Sequence, residues 1–392
     1  MIGRLQSETP LTGPQITIGR ETMTVTGKQL LTTLAADGTL TLEIAAKTFD
    51  APTGSQVLIE VEAAPINPSD LGLLFASADT ANAQYSPGKV VAKMPDNATR
   101  AMKARHGMAM PAGNECAGTV IAAGNDPQAQ ALIGKRIACV PGTAYATHAL
   151  ADARMAMPLA DGVSAEQGAS SFVNPMTALG FVETMKLEGY TGIVHAAAAS
   201  NLGQMLVKIC LEDGIPLVNL VRSEEQVKLL KGLGATHVLN MTDVDFMKQL
   251  IDAIAETKAM LGFDPIGGGT LAGQILTAME AAASRGAAFS RYGSSAAKKV
   301  YIYGALDLGP TILNRAFGLT WDLAGWLLTP FMTKAGPEIV GRMRARVMKD
   351  LTTTFASSYK AKVSLEGMLE KAAVAEYNAR RTGEKYLVVP KA

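Results

Sequence analysis

Between Gly192 and Asn240 the chain carries small residues and one cation at spacings suited to holding a nucleotide. Gly192-Ile-Val-His-Ala-Ala-Ala198 reads as a short buried parallel strand. Ala199-Ser200-Asn201-Leu202-Gly203 follows as a turn with nothing bulky in it, so the backbone can come close to a ligand. Leu202, Met205, Leu206 and Ile209 then fall at i, i+3, i+4 and i+7, which opens a helix at the turn and lays one face on a sheet. The free N–H groups at the start of that helix suit a pyrophosphate. A second strand, Pro216 to Val221, ends at Arg222 and Ser223, where a dinucleotide-binding unit usually keeps an acid for the ribose 2′-hydroxyl of NAD. An arginine there favours the 2′-phosphate of NADP. Ser200, Asn201, Leu202, Gly203, Arg222 and Ser223 are therefore the first cofactor-binding candidates. Turns of this kind also occur in proteins that bind no nucleotide, and Arg222 has a plain alternative as a surface residue at a strand end.

The elements around this unit must place it. Gln29 to Leu34 and Leu40 to Ala46 flank Asp37-Gly38, a hairpin signal, and Gln56 to Ala63 alternates as a half-buried strand does. Regular turns through Pro141-Gly142 then suggest a small barrel or sandwich. Ala76 to Met110 breaks the pattern: it is polar, lacks clear periodicity, and ends in a short helix near Ala98 to Arg105, so it reads as a long functional or mobile loop at the cleft or at a subunit contact. Asn67-Pro68 reads as a turn and Asp70 as the N-cap of a helix through Leu74. From about Ala165, helices and strands alternate: Glu224 to Leu233, His237 to Asn240, Phe246 to Lys258, Phe263 to Ile266, Leu271 to Ala283 and Val300 to Gly304. Repeated βα units imply an α/β, doubly wound parallel sheet with ligand at the carboxyl ends of its strands, which adds Tyr303 and Gly304 to the cofactor-binding candidates. The tail adds a helix and a strand, Tyr386 to Val389, expected to return to the first domain. The domain division is 1–165, with insertion 76–110; 166–335; and 336–392 returning to the first.

Composition excludes several classes. The chain has 392 residues, 48% hydrophobic, with formal net charge +1 and no block of like charge; nucleic acid and membrane are not expected partners, and a small molecule is. Met1 to Pro10 has no apolar core of the signal-peptide type, which points to the cytoplasm. Leu319 to Met332, holding Trp321 and Trp326, contains Asp322 and is too short to span a bilayer, so it reads as a buried or interface segment. Cys116, Cys139 and Cys210 are few and scattered, as in a reduced cytosolic protein. Cys116 reads as a small hydrophobe, and His195 and His148 as core or edge histidines.

Taken in order, Ala64-Pro-Ile-Asn-Pro-Ser-Asp70, Gly113-Asn-Glu-Cys-Ala-Gly118, Asn174-Pro-Met-Thr-Ala178, the dinucleotide turn, Gly232-Leu-Gly-Ala-Thr-His-Val238 and Arg381-Thr-Gly-Glu-Lys385 resemble the medium-chain dehydrogenase/reductase superfamily, in its quinone oxidoreductase and 2-enoyl thioester reductase branches. The resemblance implies a GroES-like β-barrel joined to a Rossmann domain, with the nicotinamide of NADPH between them, and a homodimer or homotetramer. Asn67 and Thr177 lie in elements that face the nicotinamide in this superfamily. Its enoyl thioester branch places a proton-donating Tyr in the loop corresponding to that of Tyr85, so Tyr85 and Asn67 are the catalytic candidates. Zinc alcohol dehydrogenases of the superfamily carry a Cys in the segment aligned with Asn67 to Asp70, a His where Asn114 stands, and a lobe of four cysteines. None of these is present, so no metal is expected. Without a Lewis acid, hydride delivery to a quinone or an activated C=C bond (enone or enal) is the better reading than alcohol oxidation. The alternatives are an enoyl thioester (enoyl-CoA or enoyl-ACP) reductase and an NADPH-binding protein with no enzymatic role. Purified protein should hold no stoichiometric zinc and keep its activity with chelator; one tightly held zinc per chain by elemental analysis would reverse this reading.

Overall fold

The computed structural model of the protein describes residues 24–379 and 385–391; Met1–Pro10 and Arg381–Glu384 lie outside them. Strands β1 (Val25–Leu34) and β2 (Thr39–Phe49) pair antiparallel about Asp37-Gly38, where Gly38 takes φ +81 and the Asp37 carboxylate accepts the Thr39 N–H at 2.9 Å. Strand β3 (Gln56–Pro65) runs straight into helix α1 (Pro68–Leu74). The helix starts earlier than the sequence suggests: Asn67, not Asp70, is the N-cap, because Pro68 supplies a ready-made helical φ at the first position. Asp70 is the third helical residue, and its Oδ2 accepts the Asn67 N–H at 2.9 Å.

Residues 76–110 are not a loop. They form β4 (Gln84–Ser86), β5 (Lys89–Lys93), α2 (Asp96–Ala101) and β6 (Met110–Pro111), and the resulting sheet has the order β4-β5-β2-β1-β6. Only Val90 and Ala92 of β5 face the core. Two buried positions are too few to raise an alternating signal, and the pairing with β2 supplies the stability that local propensity lacks. A second sheet joins β3 to β7 (Cys116–Ala123), β8 (Arg136–Cys139), β9 (His148–Asp152) and β10 (Met157–Pro158), with short helices α3 (Pro127–Gln130) and α4 (Ala165–Gly168) at its turns.

Helix α5 (Val173–Leu187) leads into the parallel part: β11 (Ile193–Ala196), α6 (Asn201–Asp213), β12 (Leu217–Val221), α7 (Glu224–Gly232), β13 (His237–Asn240), α8 (Phe246–Thr257), β14 (Leu261–Asp264), β15 (Gly267–Gly269), α9 (Leu271–Ala283), β16 (Lys298–Ile302), β17 (Asp307–Thr311) and β18 (Trp321–Gly325). The main sheet has the order β13-β12-β11-β14-β16-β18 with every pair parallel. This is the doubly wound order in which the connection reverses between the first and fourth strands, here β11 and β14, and that reversal opens a crevice for ligand. One face packs Leu202, Met205, Leu206 and Ile209 of α6 with α5; the other packs α8 and α9. Beyond β18, Trp326 is buried at 9% exposure while Leu319 and Leu327 stay open at 70% and 66%.

Helix α10 (Leu328–Lys349), kinked at Gly336-Pro337, packs along α5. The chain then passes through β19 (Ala361–Val363) and α11 (Lys371–Asn378) to β20 (Tyr386–Val388), which pairs antiparallel with β3. Residues late in the sequence thus complete the β-rich sheet that begins near residue 56. Among the described residues, no helix is long and apolar enough to cross a membrane.

Candidate active site

The turn after β11 is tight for stated reasons. Ala197 sits at φ +51, a left-handed conformation that costs a residue with a Cβ about 1–2 kcal/mol, tolerable only because alanine is small. Ser200 is the N-cap of α6, and its Oγ accepts the Gly203 N–H at 3.1 Å. A Cβ at Gly203 would stand 2.1 Å from the Ala198 carbonyl oxygen, so only glycine lets the helix lie this close to the strand end. The N–H groups of Asn201 and Leu202, at the first two helical positions, have no carbonyl one turn earlier to bond. Leu202 buries its side chain in the core, and Asn201 Nδ2 donates to Ser357 Oγ at 3.0 Å. Backbone, rather than side chains, faces the crevice here.

Arg222 and Ser223 follow β12 on the same edge. Ser223 caps α7 through a 3.4 Å bond from the Gln226 N–H, and the Arg222 side chain is exposed. Tyr303 and Gly304 follow β16. The Tyr303 hydroxyl is committed to His195 Nε2 at 2.8 Å, and the Gly304 position is as cramped as Gly203, with a hypothetical Cβ 2.6 Å from Pro265 O. Burial depresses the His195 imidazole to about 3, so it is neutral, and it stacks with Phe181 and Tyr303 as part of the sheet's aromatic core.

Across from this edge lies a second polar group. Asn67, 1% exposed, donates from Nδ2 to Glu115 Oε1 at 2.9 Å. Glu115 Oε2 accepts the N–H groups of Phe172 and Val173, both at 2.9 Å, and so caps the start of α5, the helix that carries buried Thr177. Asp70 accepts from the backbones of Asn67 and Asn114. Burial pushes its carboxyl up to about 6, against the downward pull of those two bonds. Tyr85 stands apart, on β4. Its hydroxyl donates to the Thr80 carbonyl at 2.7 Å, and Thr80 Oγ1 accepts from Asn378 at 3.3 Å. Burial, with the Asp79 charge, raises the Tyr85 phenol above its ordinary value. A cleft of about 450 Å³ is lined by Ala76, Leu306, Asp307, Leu308 and Asn378, so the first residue of the 76–110 segment and the neighbour of Thr80 both border it.

Three groups escaped the sequence reading. Glu115 looked like one letter of a motif. Asp264, ending β14 at the reversal point, is fully buried with Oδ2 unpaired; the only signal was a lone acid closing an apolar strand before three glycines. Lys385 has an ammonium buried without a hydrogen-bond partner. Among the described residues no three His, Cys, Asp or Glu side chains gather as a metal site.

No family profile matches the chain. A solved structure from Mesorhizobium loti, assigned provisionally as an NADPH:quinone reductase, superposes with a TM-score of 0.70 at 28% identity, covering 93% of this chain and 98% of that one. The mitochondrial enoyl-[acyl-carrier-protein] reductase of Caenorhabditis elegans is 30% identical over 205 residues, 50% of this chain and 52% of that protein. A quinone oxidoreductase of Pseudomonas aeruginosa is 26% identical over 159 residues, 40% of this chain and 48% of that protein. The matched stretch thus spans about half the length of these curated relatives. The resemblance to the medium-chain dehydrogenase/reductase superfamily, on its zinc-independent quinone oxidoreductase and enoyl reductase side, therefore holds in sequence and in fold.

Gly203→Ala should push α6 off the turn, lowering stability by roughly 1–3 kcal/mol in urea unfolding, and should weaken dinucleotide binding in parallel. Unchanged stability and binding would show that the close approach is not required.

Proposed function

We propose that the protein is an NADPH-dependent, zinc-independent cytosolic oxidoreductase that passes a hydride to a quinone or to an activated C=C bond of an enone or enal. The observation that carries this reading is the pairing of a glycine-tight, Ser200-capped helix start with an exposed arginine at the end of the next strand. The residues fit the dinucleotide: a Cβ at Gly203 or Gly304 would close the cradle, and helix and cation supply positive potential to an anion. When bound, the reduced nicotinamide supplies the hydride. Ser200, Asn201, Leu202 and Gly203 hold the pyrophosphate; Arg222 and Ser223 read the 2′-phosphate; Thr177, Tyr303 and Gly304 border the ring; and Asn67 faces it from the β-rich side. That side, residues up to about 165 with the return from 336, is proposed as a GroES-like domain. The neighbours' names support the class: an NADPH:quinone reductase assignment and an enoyl-ACP reductase.

The second reading, reduction of an enoyl thioester, is favoured by the C. elegans relative. There Tyr85 would protonate the α-carbon, after leaving Thr80. A second copy of the chain is the proposed macromolecular partner. Every residue of β17 is exposed, and Leu308 and Ile312 on and beside it are 66% and 48% open, so this edge can pair with another chain. Turnover of none among quinones, enones and enoyl thioesters, despite NADPH binding, would favour a non-enzymatic NADPH-binding protein instead.

Arg222→Ala should weaken NADPH roughly 10–100-fold and leave NADH nearly unchanged in fluorescence titrations; equal losses would remove Arg222 from phosphate reading. Tyr85→Phe keeps the ring and deletes only the acidic hydroxyl. Its kcat on an enoyl thioester should fall about 10²–10⁴-fold, with quinone reduction nearly untouched. Equal enoyl rates for both proteins would discard Tyr85 as the acid.

A further inference from the structure

Lys385 is buried where a charge is hard to keep. Its ammonium makes no hydrogen bond, and the nearest aromatic face, Tyr359, lies 5.9 Å away at the limit of cation–π range. Glu115 and Asp70 act on it electrostatically, yet neither pairs with it. Both carboxylates are already taken: Glu115 by Asn67, Phe172 and Val173, and Asp70 by Asn67 and Asn114. They balance the ammonium's charge without using its protons. A buried ammonium with three unused donors is costly unless something else receives them.

A second unpaired group stands beside it. In the antiparallel pairing of β20 with β3, Leu387 lies opposite Pro65, and the Ile66 N–H donates to Tyr386 O, so one step further Lys385 comes opposite Asn67. Asn67 Oδ1 is buried without a donor. An unused donor and an unused acceptor therefore meet at the head of α1. The dinucleotide turn is close. Asn201 bonds Ser357, Tyr359 lies near the ammonium, and the Lys360 N–H donates to Lys385 O at 2.8 Å. Three residues of chain, at most about 11 Å, separate Ser357 from Lys360.

Building on the oxidoreductase reading, we infer that Lys385 and Asn67 form a clamp for the carbonyl oxygen of the acceptor, Lys385 donating to it and giving it a proton, and Asn67 Oδ1 accepting from the hydroxyl so formed. A phosphate does not suit this spot, since two carboxylates face one ammonium and the surround is already anionic. An oxygen that is neutral at rest and gains charge only during the reaction does suit it. As hydride bonds to the far end of the conjugated system, the carbonyl π pair moves onto oxygen. The Nζ–H bond breaks, the O–H bond forms, and the product is a hydroquinone or an enol. The neutral amine then regains a proton from water. With enoyl thioesters the same clamp holds the oxygen while Tyr85 serves the α-carbon.

The test uses the full chain with Lys385→Met, and Lys385→Gln as a second variant should the first not fold. Four quantities are compared with wild type: NADPH affinity by fluorescence, thermal unfolding, binding of 2-cyclohexen-1-one to the NADP⁺ complex by calorimetry, and turnover of that enone and of 1,4-benzoquinone. The expected result is turnover lower by about 10²–10⁴-fold on both acceptors and enone binding at least about tenfold weaker. NADPH affinity should be nearly unchanged, and the unfolding midpoint equal or higher, since an unpaired buried charge has been removed. Burial brings the ammonium down to about 8, with Glu115 and Asp70 pulling the other way. Only the protonated form donates, so wild-type kcat/KM should fall as pH rises through that value, a limb the variant should lack. Unchanged turnover and enone binding would overturn the assignment alone. Loss of NADPH affinity in step with activity would overturn it in favour of a contact to the dinucleotide. Wild type that binds NADPH but neither binds nor reduces any acceptor would overturn the oxidoreductase reading itself, and the clamp with it.

Discussion

The carboxylate of Glu115 is the contact on which the site's geometry depends. One oxygen takes the Asn67 amide, where β3 turns into α1; the other takes two N–H groups at the start of α5. A helix start buried between domains must find acceptors for its first N–H groups, and a single carboxylate does so while matching the positive end of the helix. The β-rich part and the parallel part are thereby held in register through a charged hinge point. A shift of either wall by an ångström would cost charge-assisted hydrogen bonds in a dry interior, a penalty of several kcal/mol that soft apolar packing could not impose.

The two walls differ in electrical character. On the parallel-sheet side, a helix N-terminus and Arg222 offer positive potential spread over backbone and an exposed cation. On the β-rich side, Glu115, Asp70 and Lys385 are compact, buried and mostly saturated. An anionic ligand is drawn to the first wall, whereas the second distinguishes groups by where they can donate or accept. Beneath both, the Phe181–Phe263 stack, with centroids 3.9 Å apart, and the T-shaped contact of Phe181 with Trp326 stiffen the sheet against α5, so the strand ends that form the crevice keep a fixed spacing.

What the sequence makes legible is local. The α6 stripe, the small-residue turn, the βα alternation and the hairpin at Asp37-Gly38 each arise from neighbours within a few positions, and the structure has all of them. The strands within 76–110 were hidden because β5 is short and gains its stability from β2, more than forty positions earlier. Glu115 and Asn67 are 48 positions apart, so no periodicity links them. Lys385 and Asp264 have no pattern at all. Their significance lies in unpaired buried atoms, and burial is a property of the packed chain. Asp70 was misplaced by three residues for the opposite reason: an acid at the third helical position and an acid at the cap look alike in sequence, and only the Pro68 start decides between them.

The pairing of β20 with β3 sets the order in which the molecule can be assembled. β3 can fold with β7 and β9 as soon as these leave the ribosome, yet its remaining edge beside Ala64 and Pro65 waits until residues 386–388 have been made. Throughout that interval the nucleotide-binding sheet can complete itself, because its strands follow one another closely. A nascent chain thus acquires the means to capture a cofactor before it has a wall to react against, and early capture would protect the half-built cleft without permitting wasteful turnover. The price is an open strand edge during synthesis, which leaves the unfinished chain more exposed to mispairing than the finished one.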